Sequence, residues 1–251
     1  MLNLKSIKIQ LILYLACFAL FLAVRDKDWT FLLAVFTCVI SALTIETLVL
    51  YLKTKKFQIT ESSIITGLII GYVLSSDEVW WKLVFVSFLA IFSKYLIRLQ
   101  KKHIFNPAAF GIFLTLVLLG GSTQWRATYV WYILVPFGIY FAHRFKKMEV
   151  VIGYAIISLA LFGTQALLLR VPLGNIFGYF SYFYIFVMVI EPKTSPLRPL
   201  GKYLFGAGVA ALIFILTEAR VSFDAELLSL LVMNATVPFL NKIPLKIGGL
   251  V

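Results

Sequence analysis

The sequence predicts an all-α membrane protein with about ten transmembrane helices arranged as two inverted five-helix repeats. Three observations carry this. Apolar residues make up 61% of the 251-residue chain and the mean hydropathy is +0.97, a composition suited to lipid rather than water. Polar breaks cut the chain into ten apolar segments, near 9–24, 30–52, 63–75, 79–97, 105–120, 127–142, 148–169, 173–190, 201–217 and 225–241. The basic residues between those segments then alternate in density. The side holding the N-terminus collects 16 of the 23 Lys and Arg, from Lys5 to Lys246. The other side has only Arg25, Lys27, Lys82, Arg126, Arg170 and Arg220, with Lys94 left inside a span. Short Lys/Arg-rich loops stay cytoplasmic, so a multi-pass protein of the bacterial inner membrane with both termini cytoplasmic is expected.

The elements follow in order. Span one ends in Arg25-Asp26-Lys27-Asp28 without a small-residue cleavage site, so it reads as a helix of the protein and not a leader. Span two carries Glu46, and span three is interrupted by Gly67 and Gly71. Span four follows the acidic turn Asp77-Glu78. Span five opens on Asn106-Pro107, a helix cap followed by proline at the first helical position. Spans three and five are the shortest, against the roughly 20 residues needed to cross; they either cross thin places or stop part-way.

Gly120-Gly121-Ser122 divides the spans five and five, giving repeat one over about 9–120 and repeat two over about 127–241 within one transmembrane domain, 1–251. Five is odd, so the second half enters from the opposite side, the arithmetic of an inverted repeat with its working site where the halves meet. Span eight mirrors span three with Gly174 and Gly178, and span ten mirrors span five with Asn234 and Pro238. Between spans eight and nine, Glu191-Pro192-Lys193-Thr194-Ser195-Pro196-Leu197-Arg198-Pro199 cannot be helical, because its prolines remove donors and crowd the preceding turns.

Composition also excludes. The formal net charge of +12 is the topology signal plus attraction to anionic lipid, and no nucleic-acid partner is expected. Loops this short leave no soluble domain, so soluble chemistry comes from partners. Cys17 and Cys38 lie within spans, and His103 and His143 in loops, which provides neither a metal or cluster site nor intramembrane haem ligands. An electron carrier here would be an organic ring.

Three groups of residues can carry chemistry. Glu46 is an ionisable group within a span, where burial is costly; it reads as a cation or proton ligand, or as a carboxylate reaching the head groups or pairing with Lys94. The two proline-bearing helix ends offer free N–H groups and a positive dipole end. Asn106 and Pro107 supply one, and Glu191, Thr194 and Ser195 the other. Their amide and hydroxyls match a planar heterocycle, and equally match ordinary capping. The aromatic run Tyr179, Phe180, Tyr182, Phe183, Tyr184 and Phe186 can stack on such a ring or pack the bundle.

At these residues the sequence resembles a known family. Glu61-Ser62-Ser63-Ile64-Ile65-Thr66-Gly67-Leu68 resembles the S-x-x-(I/L)-T-G-L start of the third span in RnfD/NqrB-type proteins. Ile104–Gly111 is similar to their FNPAAxG signature, and Met188–Pro196 with Pro199, Gly201 and Lys202 to their MATDPVTSPxTPxGK stretch. The resemblance implies a membrane subunit of Rnf and sodium-pumping NADH:quinone reductase complexes, working with other membrane and redox subunits. Such subunits couple electron flow to cation transport and carry FMN, in some members also riboflavin. It implies flavin contacts at Thr66, Asn106, Pro107, Glu191, Thr194 and Ser195, with Glu46 on an ion path. The family's S-G-A-T attachment motif for covalent FMN is missing. The nearest string, Trp125-Arg126-Ala127-Thr128, lacks the Ser-Gly turn, so Thr128 is a weak candidate and a noncovalent flavin is the expectation. A redox-silent transporter or channel for a small solute or for flavin, and an assembly subunit that holds partners, are the alternatives.

Overall fold

A computed structural model of the protein describes residues 6–99, 102–172, 177–178 and 180–243. It is helical almost throughout: α1 Ile7–Asp26, α2 Trp29–Thr54, α3 Glu61–Val73, α4 Trp80–Leu96, α5 Pro107–Leu119, α6 Trp131–Arg144, α7 Met148–Leu168, α8 Pro199–Glu218 and α9 Ala225–Leu240. A two-stranded hairpin, Arg98–Leu99 with Lys102–His103, joins α4 to α5. Among the described residues, α1, α2, α7 and α8 are long and apolar enough to cross a bilayer; α3, α5 and α9 are shorter apolar helices. The chain divides into two compact units, Met1–Tyr129 and Val130–Val251.

In the first unit α3 is the buried core element. Its glycines let it lie directly on α2: a Cβ on Gly67 would stand 2.5 Å from Val39 Cα, and one on Gly71 2.6 Å from Val35 Cα. Gly111 of α5 meets α4 the same way, 2.7 Å from the Val86 carbonyl. Small residues let backbones approach where lipid gives no hydrophobic drive for association. The Tyr72 hydroxyl donates to the Leu15 carbonyl at 2.7 Å and ties α3 to α1.

The 13 residues of α3 span only about 20 Å, which explains the short apolar segment read from the sequence. The helix stops because another segment takes over its last carbonyls. Gln124 and Arg126 donate their backbone N–H groups to Val73 and Tyr72, at 2.7 and 3.0 Å. The Gln124 side chain donates to Gly71 at 3.1 Å, and Ser75 N–H reaches the Ser122 carbonyl at 3.0 Å. Irregular backbone in a membrane domain survives where protein satisfies it in this way.

In the second unit α7 and α8 pack through Gly153, which faces the Tyr203 carbonyl, and Gly206, which faces the Val150 carbonyl; any side chain there would collide with backbone. Replacing Gly206 with Leu is therefore expected to cost about 3 kcal/mol or more, whereas Gly178→Ala meets nothing within 4 Å. Thermal unfolding in detergent checks the pair, and equal midpoints would refute this account of the helix contact.

Span eight differs from the expectation of an ordinary helix. Its positions 173–176, including Gly174, and Tyr179 lie outside the described residues. The described remainder contains a π-helical segment, Tyr184–Val189. Pro192 lacks the N–H that would bond the Met188 carbonyl in an α-helix, and Glu191 N–H closes on that carbonyl instead at 3.3 Å. Widened π turns recur at functional sites.

Candidate functional site

The residues singled out by sequence fall into two polar constellations, one in each unit. In the first unit Asn106 caps α5: its Oδ1 accepts from Ala109 N–H at 3.0 Å, Pro107 takes the first helical position, and both side chains are buried. Thr60 caps α3 by accepting from Ser63 N–H at 3.2 Å, which starts that helix two residues before the apolar segment.

Glu46 and Lys94 meet beside that cap. The Lys94 ammonium donates to Glu46 Oε2 at 3.0 Å, and both side chains are almost fully buried, 4% and 7% exposed. Thr60 Oγ1 donates to the same oxygen at 3.0 Å, and the Tyr95 hydroxyl donates to Oε1 at 3.1 Å. Lys94 also donates to Ser62 Oγ at 3.2 Å and to the Ser62 carbonyl at 3.4 Å. Thr66 Oγ1 donates to that same carbonyl at 2.8 Å. Of the readings the sequence left open for Glu46, the geometry favours pairing with Lys94. Both carboxylate oxygens hold protein donors, and Lys94 turns inward rather than reaching an interface. The network clamps α2, the start of α3 and the end of α4, and it draws in Thr66.

In the second unit the broken turn before α8 is held from within and from two other elements. Thr194 Oγ1 donates to Glu191 Oε2 at 3.1 Å, and Ser195 Oγ to the Glu191 carbonyl at 2.6 Å. Asn234, in α9, donates its amide to the Thr194 carbonyl at 2.9 Å. The Lys147 ammonium, at the start of α7, donates to the carbonyls of Ser195 and Pro196 at 3.2 and 2.6 Å. Thr194 and Ser195 are each 2% exposed and Lys147 is 3% exposed. Next to them Lys202 pairs with Glu149 at 3.2 Å, tying α8 to α7.

Thus Thr66, Asn106 and Pro107 lie in the first unit, and Glu191, Thr194 and Ser195 form one turn in the second. Sequence reading missed Lys147, which counted only as a loop charge. Thr128, at the head of a short 3-10 turn, has an Oγ1 shielded from solvent with no hydrogen-bond partner. A shielded hydroxyl presents poorly for esterification by a phosphate. Among the described residues no three His, Cys, Asp or Glu side chains group to hold a metal.

Apolar helices joined by short loops, with glycine-mediated contacts and proline-broken helix starts, define a multi-pass all-α membrane protein. The family model described as the NQR2, RnfD, RnfE family matches residues 2–130 and 132–247, and the chain belongs to that family, that of membrane subunits of Rnf- and Nqr-type complexes. A comparison with curated proteins found no match.

Proposed function

We propose that this chain is a flavin-binding, cation-coupled membrane subunit of an Rnf/Nqr-like electron-transport system, holding FMN or riboflavin noncovalently. The observation that carries the reading is the turn Glu191–Pro199. Most helix starts need one capping side chain, but this one is fixed by Lys147 and Asn234 from α7 and α9 through three of its carbonyls. Such outside bracing is what a site needs if its groups are to stay aligned on a ligand. It holds the Thr194 and Ser195 hydroxyls, whose protons go to Glu191, with lone pairs placed to accept from a ring N–H. Asn106, buried at the start of α5, and Thr66, buried within α3, supply polar partners in the first unit.

The residues fit a noncovalently held flavin in their chemistry. When bound, a flavin supplies the capacity to take up and release electrons singly or in pairs, which no side chain here has. The chain's own part is to orient the ring and exclude water. The missing S-G-A-T motif and the shielded Thr128 hydroxyl support noncovalent holding. Ten spans in two inverted sets of five, with both termini cytoplasmic, are part of the proposal and rest on the 16-to-6 basic asymmetry of the loops.

The test is the visible spectrum and mass of the full chain purified in mild detergent. The expected result is the yellow absorbance of an oxidised flavin that is released on denaturation, with Thr194→Val and Ser195→Ala lowering the amount retained. A flavin that stays with the polypeptide would overturn the noncovalent part. A colourless protein that takes up no added FMN or riboflavin would overturn the redox reading and leave the redox-silent transporter.

A further inference from the structure

The end of the first unit where α2 stops and α4 gives way to the hairpin carries charge that the Glu46–Lys94 clamp does not use. Lys53, in the last turn of α2, stands over the Tyr95 ring with its ammonium 4.3 Å from the centroid. Arg98, the first residue of the hairpin, stands over the same ring at 4.8 Å. Tyr95 is itself fixed, because its hydroxyl donates to Glu46. Arg98 is fixed a second time by donating its Nε to the Lys94 carbonyl, and its two terminal nitrogens have no protein acceptor among the described residues. Nor does either cation pair with a carboxylate among those residues: Glu46 is taken by Lys94, and Glu61 by Lys8 and the Ser6 hydroxyl.

Two cations held on one ring repel each other, and the ring offsets only about 0.5–1 kcal/mol for each at an exposed site. A shared anion removes that repulsion. A guanidinium anchored through Nε presents its terminal N–H groups as a fork for two oxygens of a phosphate, and a lysine ammonium beside it adds a compact charge. The surroundings keep the same sign: 51–60 and 95–104 bring six basic residues and no acidic one. They also bring apolar side chains. Leu48 and Leu52, one turn apart on α2, are exposed up to Lys53, and Phe88, Phe92 and Leu96 form the same kind of stripe on α4 towards Arg98. In the loop after α2, beside Lys55 and Lys56, Phe57 is 80% exposed and Ile59 75%.

We propose that Lys53 and Arg98, seated on Tyr95, bind the phosphate of an anionic phospholipid whose acyl chains lie along the exposed faces of α2 and α4. A free phosphate or an acidic peptide would use the cations and leave the apolar stripes unmatched; a lipid meets both at once. Clusters of roughly four to eight Lys and Arg at the end of a spanning helix recognise anionic lipid, each basic residue contributing about 1 kcal/mol. What separates this place from the diffuse charge of the other loops is that a ring and a carbonyl hold its two cations in position. The site goes beyond the electron-transport reading and stands with or without a flavin.

Its test is the unfolding midpoint of the full-length protein in nonionic detergent, titrated with dioleoylphosphatidylglycerol, with dioleoylphosphatidylcholine, or with glycerol 3-phosphate as a free phosphate. Phosphatidylglycerol is expected to raise the midpoint saturably, and the other two to have little effect. Lys53→Gln, which breaks no hydrogen bond, and Arg98→Gln are each expected to raise the half-saturating lipid concentration about fivefold, the worth of one basic residue near an anionic surface. Lys146→Gln removes the same charge from the exposed loop between α6 and α7 and is expected to leave the curve in place. Equal responses to the two lipids overturn the site, as do equal shifts from Lys146→Gln and Lys53→Gln, which diffuse charge would give. A response to glycerol 3-phosphate matching that of the phospholipid assigns the cations to a soluble anion and overturns the lipid reading. Absence of any response to phosphatidylglycerol leaves them to an acidic partner and overturns it as well.

Discussion

Glu46→Leu is expected to destabilise the protein by about 3–5 kcal/mol, because it strands the Lys94 ammonium in a site that excludes water. Lys94 is 4% exposed on its side chain, and it also donates to two neutral groups, Ser62 Oγ and the Ser62 carbonyl. The reverse change, Lys94→Met, is expected to do comparable harm. It leaves the Glu46 carboxylate with only the hydroxyls of Thr60 and Tyr95. Breaking a buried pair from one side differs sharply from removing both charges, since the desolvation cost then disappears with the Coulomb gain. Glu46→Leu with Lys94→Met is therefore expected to recover most of the lost stability, giving a coupling energy that the single variants cannot show. Thermal unfolding of the four proteins in detergent measures this. If the double variant is as unstable as the sum of the singles, the pair is not the clamp described. If Glu46→Leu is stable but abolishes cation transport in the assembled complex, Glu46 is a path residue and not a structural one.

Much of the fold was legible because lipid imposes strong rules. Asn106-Pro107 announced the start of α5, and three prolines between Glu191 and Pro199 announced a break, both through local backbone chemistry that operates wherever the chain lies. Gly67 and Gly71 marked a close helix contact, although not which helix would fill it. What stayed hidden depends on partners distant in sequence. Hydropathy does not separate a lipid-facing side from a protein-facing one: Leu33 is 65% exposed and Phe31 fully buried, and the two are alike to any apolar scale. The end of α3 is set by hydrogen bonds from Gln124 and Arg126, some fifty residues away. Glu46 and Lys94 were each visible as costly intramembrane charges, but their meeting depends on the packing of α2 against α4. The chemistry of the turn at Glu191 was legible, and its bracing was not. Lys147 looks like every other basic residue of a cytoplasmic loop, and only the fold shows it turned inward.

Lys147→Met is expected to cost about 3 kcal/mol, in the range for losing hydrogen bonds to a charged donor and leaving buried acceptors behind. Methionine keeps the length and the apolar stem of lysine, so the change isolates the ammonium. Its loss releases the carbonyls of Ser195 and Pro196 and leaves the turn braced from α9, by Asn234 at the Thr194 carbonyl and by Asn241 at Leu197 N–H. The position of Ser195 then loosens more than that of Thr194. A flavin held by both hydroxyls should be retained less well than in the wild type, by a larger factor than stability alone predicts. Lys147→Arg provides the second comparison. Arginine restores the charge, but its planar fork cannot reproduce a compact ammonium pointed at two adjacent carbonyls, so partial recovery of stability with incomplete recovery of flavin is expected. The Lys202–Glu149 pair is the control. It lies beside the turn and also joins α7 to α8, but donates nothing to the turn's carbonyls among its described contacts. Lys202→Met should therefore lower the unfolding midpoint and leave the flavin-to-protein ratio of the folded fraction unchanged. Equal loss of flavin from the Lys147 and Lys202 variants would mean that retention follows global stability and that the turn has no special part in holding the ring.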